Sequence, residues 1–376
     1  MARSKKVGMF SFFTGAGFLD LGFERAGVAS LMANEIDKNF SEVYRHSRAK
    51  MSIPLPRFGH RTGDVCAYVD DPKVAKELKN RVAEAKKDFD VIGFIGGPPC
   101  PDFSVAGKQA GSTGKHGRLS QVYVDMICEQ KPDFFVFENV KGLWRTAKHR
   151  AFFDALVRQV REAGYATTYR LCNALEYGAP QFRERIILIG VRKGLCKGHV
   201  DAATGDIRDF PWEDHLSYSM DAVNSAPWPT QDGFAEGGKR KMPAGVIEEL
   251  TVEHWFRRND VERHPNAKDV LIPRAGLVKM QTYDEGDDSR KCYKRIHRWR
   301  FSPTAAYGNN EVHLHPYKAR RLSVAETLAI QSLPAEFELP PSIPLTAKFK
   351  TIGNGVPYLL SNGIAETLLD FLGRLG

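Results

Sequence analysis

The chain has 376 residues, 42% of them apolar, with a formal charge of +9 and a pI near 9.1. That length is ample for a full core and suggests two domains, while no apolar run approaches a membrane span. Six cysteines (66, 100, 128, 172, 196 and 292) lack CxxC pairing, which argues for a reducing compartment and against zinc or a disulfide framework. The basic balance favours a polyanionic partner and says nothing about fold. No apolar leader distinct from a strand follows Met1–Lys6, so no signal peptide is expected.

Val7 to Phe13 predicts a short strand. Thr14-Gly-Ala-Gly17 follows, then an amphipathic helix through Leu19, Leu21, Phe23 and Ala26 that Gly27 ends. Strand, glycine turn and helix together expose free backbone N–H groups to a nucleotide-like ligand. A second strand, Ala29 to Ala33, runs into Asn34-Glu35-Ile36-Asp37. An acid at this distance from the glycines is expected on ribose hydroxyls. Asp20 stands where the third glycine of a dinucleotide fingerprint would be. The ligand is therefore expected to be a nucleoside such as S-adenosylmethionine. Asp64, after Gly63, is a second adenosine contact or an ordinary turn residue. Asp71-Pro72 opens a packing helix to about Lys87.

An apolar run from Phe89 to Ile95 reads as a buried parallel strand. Gly96-Gly-Pro-Pro-Cys100 stops it and presents one thiol beyond the strand's carboxyl end, where ligands and chemistry gather in open α/β sheets. Cys100 is a nucleophile held in a stiff turn or a small buried structural residue. The following glycine-rich, basic stretch, 104–118, reads as a lid over a phosphate-bearing substrate or as a surface loop. A helix from Leu119 to Glu129 leads to the strand Pro132 to Val140, which places Glu138 at the same sheet edge as Cys100. A carboxyl there bears a desolvation cost and becomes a proton donor; a helix cap or surface acid is the alternative. Helix Ala151 to Ala163 and strand Tyr165 to Cys172 precede Gln181-Phe-Arg-Glu-Arg-Ile-Ile-Leu-Ile-Gly190. There Gln181, Arg183 and Arg185 share a face, and the two arginines need anions.

From 193 to about 300 the pattern is rich in Gly, Pro, Asp and charge, and about 193 to 315 is expected to form a separate, smaller domain of irregular β character. Its segment Arg290 to Arg300 carries six Lys/Arg with Tyr293 and Trp299 interleaved, suited to phosphate contacts and stacking or simply to a solvated basic strand. His313 and His315 lack accompanying ligands and read as strand alternation. Ser323 caps a helix from Val324 to Gln331. Lys350-Thr-Ile-Gly-Asn-Gly-Val-Pro357 reads as a second glycine turn that opens a last helix to about Leu375 and returns it to the first domain.

The ordered set Phe13-Thr-Gly-Ala-Gly17, Glu35, Gly63-Asp64, Gly97-Pro-Pro-Cys100, Glu138-Asn-Val140, Gln181-x-Arg183-x-Arg185, Arg321-Leu-Ser323 and Gly353-Asn-Gly-Val356 resembles the DNA (cytosine-5)-methyltransferases, in particular the single-chain bacterial restriction–modification enzymes. The resemblance spans nearly the whole chain outside 193–300. It implies a doubly wound, mostly parallel α/β sheet of the Rossmann-like methyltransferase type with a smaller target-recognition domain. The expected division is 1–192 completed by 346–376, and 193–345 with recognition in about 193–315. It further implies S-adenosylmethionine bound by Phe13, Gly15, Ala16, Gly17, Glu35, Ile36, Asp64, Val65, Pro98, Asn354 and Val356. Cys100 would be the nucleophile and Glu138 the acid, with Arg183 and Arg185 orienting a flipped cytosine. DNA contacts are expected from Ser104, Lys108, Gln181, Arg290, Lys294, Arg295, Arg298 and Arg300. No metal is implied.

The resemblance also implies double-stranded DNA as partner, a cognate endonuclease as a functional companion, a monomer, and a cytoplasmic setting in a bacterium or phage. Three departures stand out. Phe18 replaces a second glycine and is expected to narrow the cofactor turn; Pro101 replaces the usual Gln after the cysteine; Gly355 replaces Ala or Ser. Rival readings are an RNA cytosine-5 methyltransferase, a non-catalytic DNA-binding relative and a dinucleotide oxidoreductase. The missing Cys-Phe-Thr signature, the intact Cys100, Glu138 and arginines, and the incomplete glycine fingerprint argue against them in turn.

Overall fold

The computed structural model describes residues 5–99, 115–272, 277–290, 292–304, 307 and 312–375. Among these, seven strands form one sheet: β1 (Val7–Phe12), β2 (Ala29–Glu35), β3 (His60–Thr62), β4 (Val91–Gly96), β5 (Phe134–Val140), β6 (Tyr165–Asn173) and β7 (Glu184–Arg192). Their order is β3-β2-β1-β4-β5-β7-β6. Only β7 runs against the rest, antiparallel to both β5 and β6. Strand order reverses between β1 and β4, so the carboxyl ends of those two strands frame the crevice where such sheets bind ligands.

The helices are α1 (Phe18–Arg25), α2 (Lys38–Lys50), α3 (Ala67–Asp70), α4 (Pro72–Ala85), α5 (Lys115–Gln130), α6 (Gly142–Arg145), α7 (Ala147–Glu162), α8 (Met220–Ser225), α9 (Val252–Arg258), α10 (Leu277–Thr282), α11 (Val324–Ile330), α12 (Leu345–Asn354) and α13 (Tyr358–Arg374). Strand periodicity of two sends Met9 and Ile95 to one face and Phe10, Phe12 and Phe94 to the other. The first set packs under α1 and α13 through Phe23, Leu360, Ile364 and Phe371. The second packs under α4, α5 and α7 through Leu78, Tyr123, Ile127 and Phe153. Burial on both faces explains the unbroken apolar runs of β4 and β5.

Helix boundaries follow their caps. Asp71 accepts from Lys73 N with Pro72 at the first position, and Ser323 and Glu326 form a reciprocal capping box. Helix α2 is not among the elements expected from the sequence; Asp37 caps it by accepting from the backbone N–H of Asn39 and Phe40. Two expectations need correction. Helix α5 begins at Lys115, inside the stretch expected to be loop. Lys350–Asn354 is the last turn of α12, with Gly353 helical, and the turn into α13 is confined to Gly355–Pro357. The last helix does return to the start of the chain, where it packs on α1: Ser361 Oγ donates to Leu19 O at 2.6 Å.

Phe18 is 2% exposed. Its ring is packed in the interior, edge-on to Phe337 at 5.2 Å between ring centres. Its ring fills the space at Gly355, where an added Cβ would lie 2.1 Å from Phe18 Cδ2. Two departures noted separately in the sequence are therefore one complementary contact.

Beyond β7, Cys196, Ile207 and Phe210 stay with the core of the sheet, and Trp212 Nε1 donates to Thr168 Oγ1 at 2.9 Å. A third core joins Phe18, Leu21 and Val43 to Trp255, Phe256, Leu322, Leu328, Phe349 and Ile352. The β character expected for 193–315 reduces, among the described residues, to isolated bridges such as Asp232 with Glu285 and Arg295 with Leu314. The His313–His315 alternation likewise straddles a single bridge residue, Leu314. No group of residues fit to hold a metal occurs among the described residues. Nor is any described helix long and apolar enough to cross a membrane.

A polar network lies under the glycine turn after β1. Arg48, buried, pairs with Glu24 at 2.8 Å and stacks on Tyr44, while Ser11 Oγ donates to Asp20 at 2.6 Å. A Cβ at Gly17 would meet Arg48 and Tyr44 within 2.7 Å. Burial raises the Glu24 carboxyl to about 7, outweighing Arg48. A raised acid favours the folded state fully below its ordinary pKa of 4.5, and that contribution is lost as pH rises through about 7. Over this window the protein should lose about 3 kcal/mol of stability. Urea midpoints taken from pH 5 to 8 measure this, and Glu24→Gln should flatten the slope. An equal slope in the variant would place the titration elsewhere.

Candidate active site

Four strand ends build the site. β1 ends in a turn whose Phe13, Gly15 and Gly17 all have positive φ, at 56°, 56° and 82°. Phe13 adopts this strained region although it carries a side chain, a feature that concentrates at binding sites. Nothing lies within 4 Å of a Cβ placed on Gly15, so the turn opens to solvent on that side. Glu35, at the end of β2, accepts from Gly15 N through one oxygen at 2.8 Å. Its other oxygen accepts from Ile36 N and Asp37 N, each at 2.9 Å. Burial raises its carboxyl and these backbone bonds oppose the rise. Ile36 next to it is 64% exposed.

Pairing of Glu35 with Thr62 carries β3 alongside. Asp64 is then exposed at the rim, its Oδ1 accepting from Cys66 N at 2.9 Å, with Val65 buried behind it. Ala16, Pro98 and Val356 are buried, and Asn354 is exposed.

At the other side of the crevice Glu138 ends β5. Its Oε1 lies 2.8 Å from Arg185 Nε, and both side chains are nearly buried. Arg183, also buried, donates to Gly353 O at 2.7 Å and to Gln181 Oε1 at 3.4 Å. The anion that the two arginines were expected to need is supplied first from within, by Glu138. Burial holds the Glu138 carboxyl above its ordinary value, against Arg185 and then Arg183. The carboxyl sits directly under the cysteine turn: a Cβ on Gly97 would be 2.4 Å from Glu138 Oε2. Asn139 Nδ2 donates to Pro98 O at 3.3 Å, a tie between β5 and that turn which sequence reasoning missed. Its signal was the polar residue closing an apolar strand. Cys100 and Pro101 lie outside the described residues, as do Ser104, Lys108 and the expected lid up to residue 114.

Several expected DNA contacts are corrected. Arg295 is fully buried and donates to the carbonyls of Met280, Tyr283, His315 and Lys318. Arg298 forms a two-pronged pair with Glu285 at 2.7 and 2.8 Å. Trp299 is buried with its Nε1 on Arg240 O, so it offers no stacking face. Gln181 is buried and bonds Gln331 at 3.4 Å. Arg295, Arg298 and Trp299 thus hold the second region together, and Gln181 ties the start of β7 to Gln331. Arg290 is half exposed beside Asp287 and over the Tyr283 ring. Lys294 and Arg300 are half-buried, and neither has a carboxylate partner among the described residues.

Residues 7–370 match the model of the C-5 cytosine-specific DNA methylases. The chain belongs to that family. Over 370 residues the methylase is 55% identical to the Type II methyltransferase M.NmeDI of Neisseria meningitidis serogroup C, covering 98% of this chain and 84% of the relative. It is 35% identical to the Type II methyltransferase M.MthTI of Methanothermobacter thermautotrophicus over 95% of this chain and 96% of the relative. A crystal structure of a DNA modification methyltransferase encoded within an Escherichia coli prophage superposes with a TM-score of 0.61 at 22% identity, over 98% of this chain and all of the other. The Dnmt2 methyltransferase of S. pombe gives 0.59 at 12% identity over 98% and 99%. These two likenesses speak for the fold, which is the Rossmann-like methyltransferase fold. The methylase is a DNA cytosine-5 methyltransferase of the Type II restriction–modification kind.

Proposed function

We propose that the methylase transfers a methyl group from S-adenosylmethionine to C5 of a cytosine flipped out of a short, specific duplex DNA sequence, with Cys100 as nucleophile and Glu138 as acid. The observation that carries this reading is the Glu138 carboxyl, raised by burial, held by Arg185 and set against Gly97, three residues before Cys100.

The residues present fit the cofactor. Gly15 leaves a bare surface, Glu35 has a fixed carboxylate for ribose hydroxyls, Ile36 an exposed apolar face for an adenine, and Asp64 a carboxylate at the same rim. Phe13, Ala16, Gly17, Val65, Pro98, Asn354 and Val356 complete the wall. S-adenosylmethionine supplies, when bound, the methyl group as an electrophile on a sulfonium.

The chemistry of the base sets the remaining roles. C5 of cytosine is too weak a nucleophile to take a methyl group unaided. Addition of the Cys100 thiolate to C6, with the Glu138 proton delivered to N3, gives an enamine whose C5 is nucleophilic. After methylation a base takes the C5 proton, and the electron pair left behind expels the thiolate. Arg183 and Arg185 orient the cytosine, and Arg185 also balances Glu138 once it has lost its proton. The target is stacked inside a duplex, so it must be extruded at a cost of a few kcal/mol. Lys294, Arg300 and Arg290 on the second region supply phosphate contacts that offset it. Residues 1–192 with 346–376 act as the catalytic part and about 193–315 as the part that selects the sequence. The enzyme works as a monomer, since one base is the substrate, and modifies the site of a cognate endonuclease.

The experiment is transfer of labelled methyl groups to mixed-sequence duplex DNA, read by bisulfite sequencing. Protected cytosines in one short context are expected. Incorporated label without any protected cytosine would overturn the assignment of C5.

A further inference from the structure

The break between α12 and α13 leaves backbone groups on both sides without helical partners, and Pro357 brings no side-chain cap to α13. The partners come from elsewhere in the chain. At the end of α12, Ile352 O accepts from Gln331 Nε2 and Gly353 O from Arg183 Nη2, each at 2.7 Å. At the start of α13, Tyr358 N donates to Gln331 O at 3.0 Å and Leu359 N to Ser332 Oγ at 3.1 Å. Gln331, just past α11, therefore grips both sides of the break, with its side chain on one and its carbonyl on the other. It is fully buried, as is Gln181. Gln181 Nε2 donates to Gln331 Oε1, and Gln181 Oε1 accepts from Arg183 Nη1, both at 3.4 Å. The direction of this relay is fixed at its two ends, because a guanidinium only donates and a peptide carbonyl only accepts. The side chain at 331 must then donate to Ile352 O and accept from Gln181, which a glutamine amide does. Two features place the gripped segment. Gly355 lies against Phe18, the residue after Gly17 of the glycine turn, with Asn354 and Val356 on either side of it in the chain. Arg183 stands two residues before Arg185, the partner of Glu138.

We propose that Gln331 is a positioning residue for methyl transfer: it sets the 353–357 segment against Arg183 and so fixes the separation between the methyl donor and the base. The inference rests on the proposed function, in which Asn354 and Val356 line the cofactor and Arg183 and Arg185 orient the cytosine. Gln331 is buried behind both sites and acts through their walls. Its influence is on geometry, and a misplacement of about 1 Å costs on the order of a hundredfold in rate. The affinity for each reactant depends on that reactant's own contacts and changes little.

The test compares two variants with wild type. Gln331→Leu removes both side-chain bonds, whereas Gln331→Asn keeps the amide but is one methylene too short to span Gln181 and Ile352 O. The second variant keeps the proposal testable if the first folds poorly. Single-turnover transfer is measured with saturating S-adenosylmethionine and a duplex carrying the mapped site. Its rate constant, unlike its amplitude, does not depend on the folded fraction. Both variants are expected to transfer about a hundredfold more slowly. Their dissociation constants for cofactor and for duplex should stay within about threefold of wild type. A merely structural role predicts another pattern, a lowered thermal midpoint and amplitude with the rate constant preserved. That pattern, or a loss seen only as weaker binding, would overturn the proposal. Glu138→Gln is run beside them. Gln331 variants that keep their rate while Glu138→Gln loses it would sink the positioning role alone. A Glu138→Gln protein that keeps its rate would sink the base-site assignment and this inference with it.

Discussion

Glu138→Gln is expected to lower single-turnover methyl transfer about a thousandfold, within the range general acids contribute, while changing DNA affinity only a few-fold. The amide matches the carboxyl in size under Gly97, and its oxygen can still accept from Arg185. What it cannot do is deliver a proton to N3. The pH profile adds a second signature. Burial keeps Glu138 protonated to higher pH than an ordinary glutamate, so the wild-type rate should fall as pH rises past that raised value. The glutamine variant has no group to lose a proton there, and that limb of its profile should vanish. Near-normal single-turnover rates in the variant would remove Glu138 from the acid role.

Cys100→Ala should abolish transfer altogether, with a loss beyond that of Glu138→Gln. Without covalent addition at C6, C5 gains no enamine character, and neither orientation nor charge can replace it. Binding of duplex DNA and of S-adenosylmethionine should persist, because the residues proposed for the cofactor, Glu35, Ile36 and Asp64, and those proposed for phosphate contacts, Lys294 and Arg300, are untouched. Filter binding and equilibrium dialysis check those two affinities. Turnover in the alanine variant would show that the thiol is not the nucleophile. Read together, the two variants separate the covalent step from the protonation that accompanies it.

Much of this architecture is legible in the sequence. Buried strands announce themselves as unbroken apolar runs because a parallel sheet is covered on both faces, and β1, β4 and β5 lie within a residue or two of their expected limits. Short motifs located Glu35, Glu138 and the two arginines, since each ends a strand or follows a turn that chain order alone can place. The reversed direction of β7 was not visible: periodicity gives a strand's faces but not its sense. Lys350–Asn354 looked like a turn because glycine is a poor helix former, and the packing of α12 on α2 and α11 overrides that preference. The basic run at 290–300 misled for a different reason. Arg295 and Arg298 find their acceptors at Met280, Tyr283, Glu285, His315 and Lys318, at separations a local reading does not join. Charge density suggested a surface, whereas long-range pairing made an interior.

The contact between Phe18 and Gly355 shapes the mutational routes open to this enzyme. A methyl group at 355 would run into the ring, and a glycine at 18 would leave a ring-sized void against Phe337. Either change alone descends into a valley of lower fitness, although the combined change can restore a filled contact. Residues more than three hundred positions apart thus behave as one inherited unit, and recombination between relatives that separates the two ends of the gene would break it.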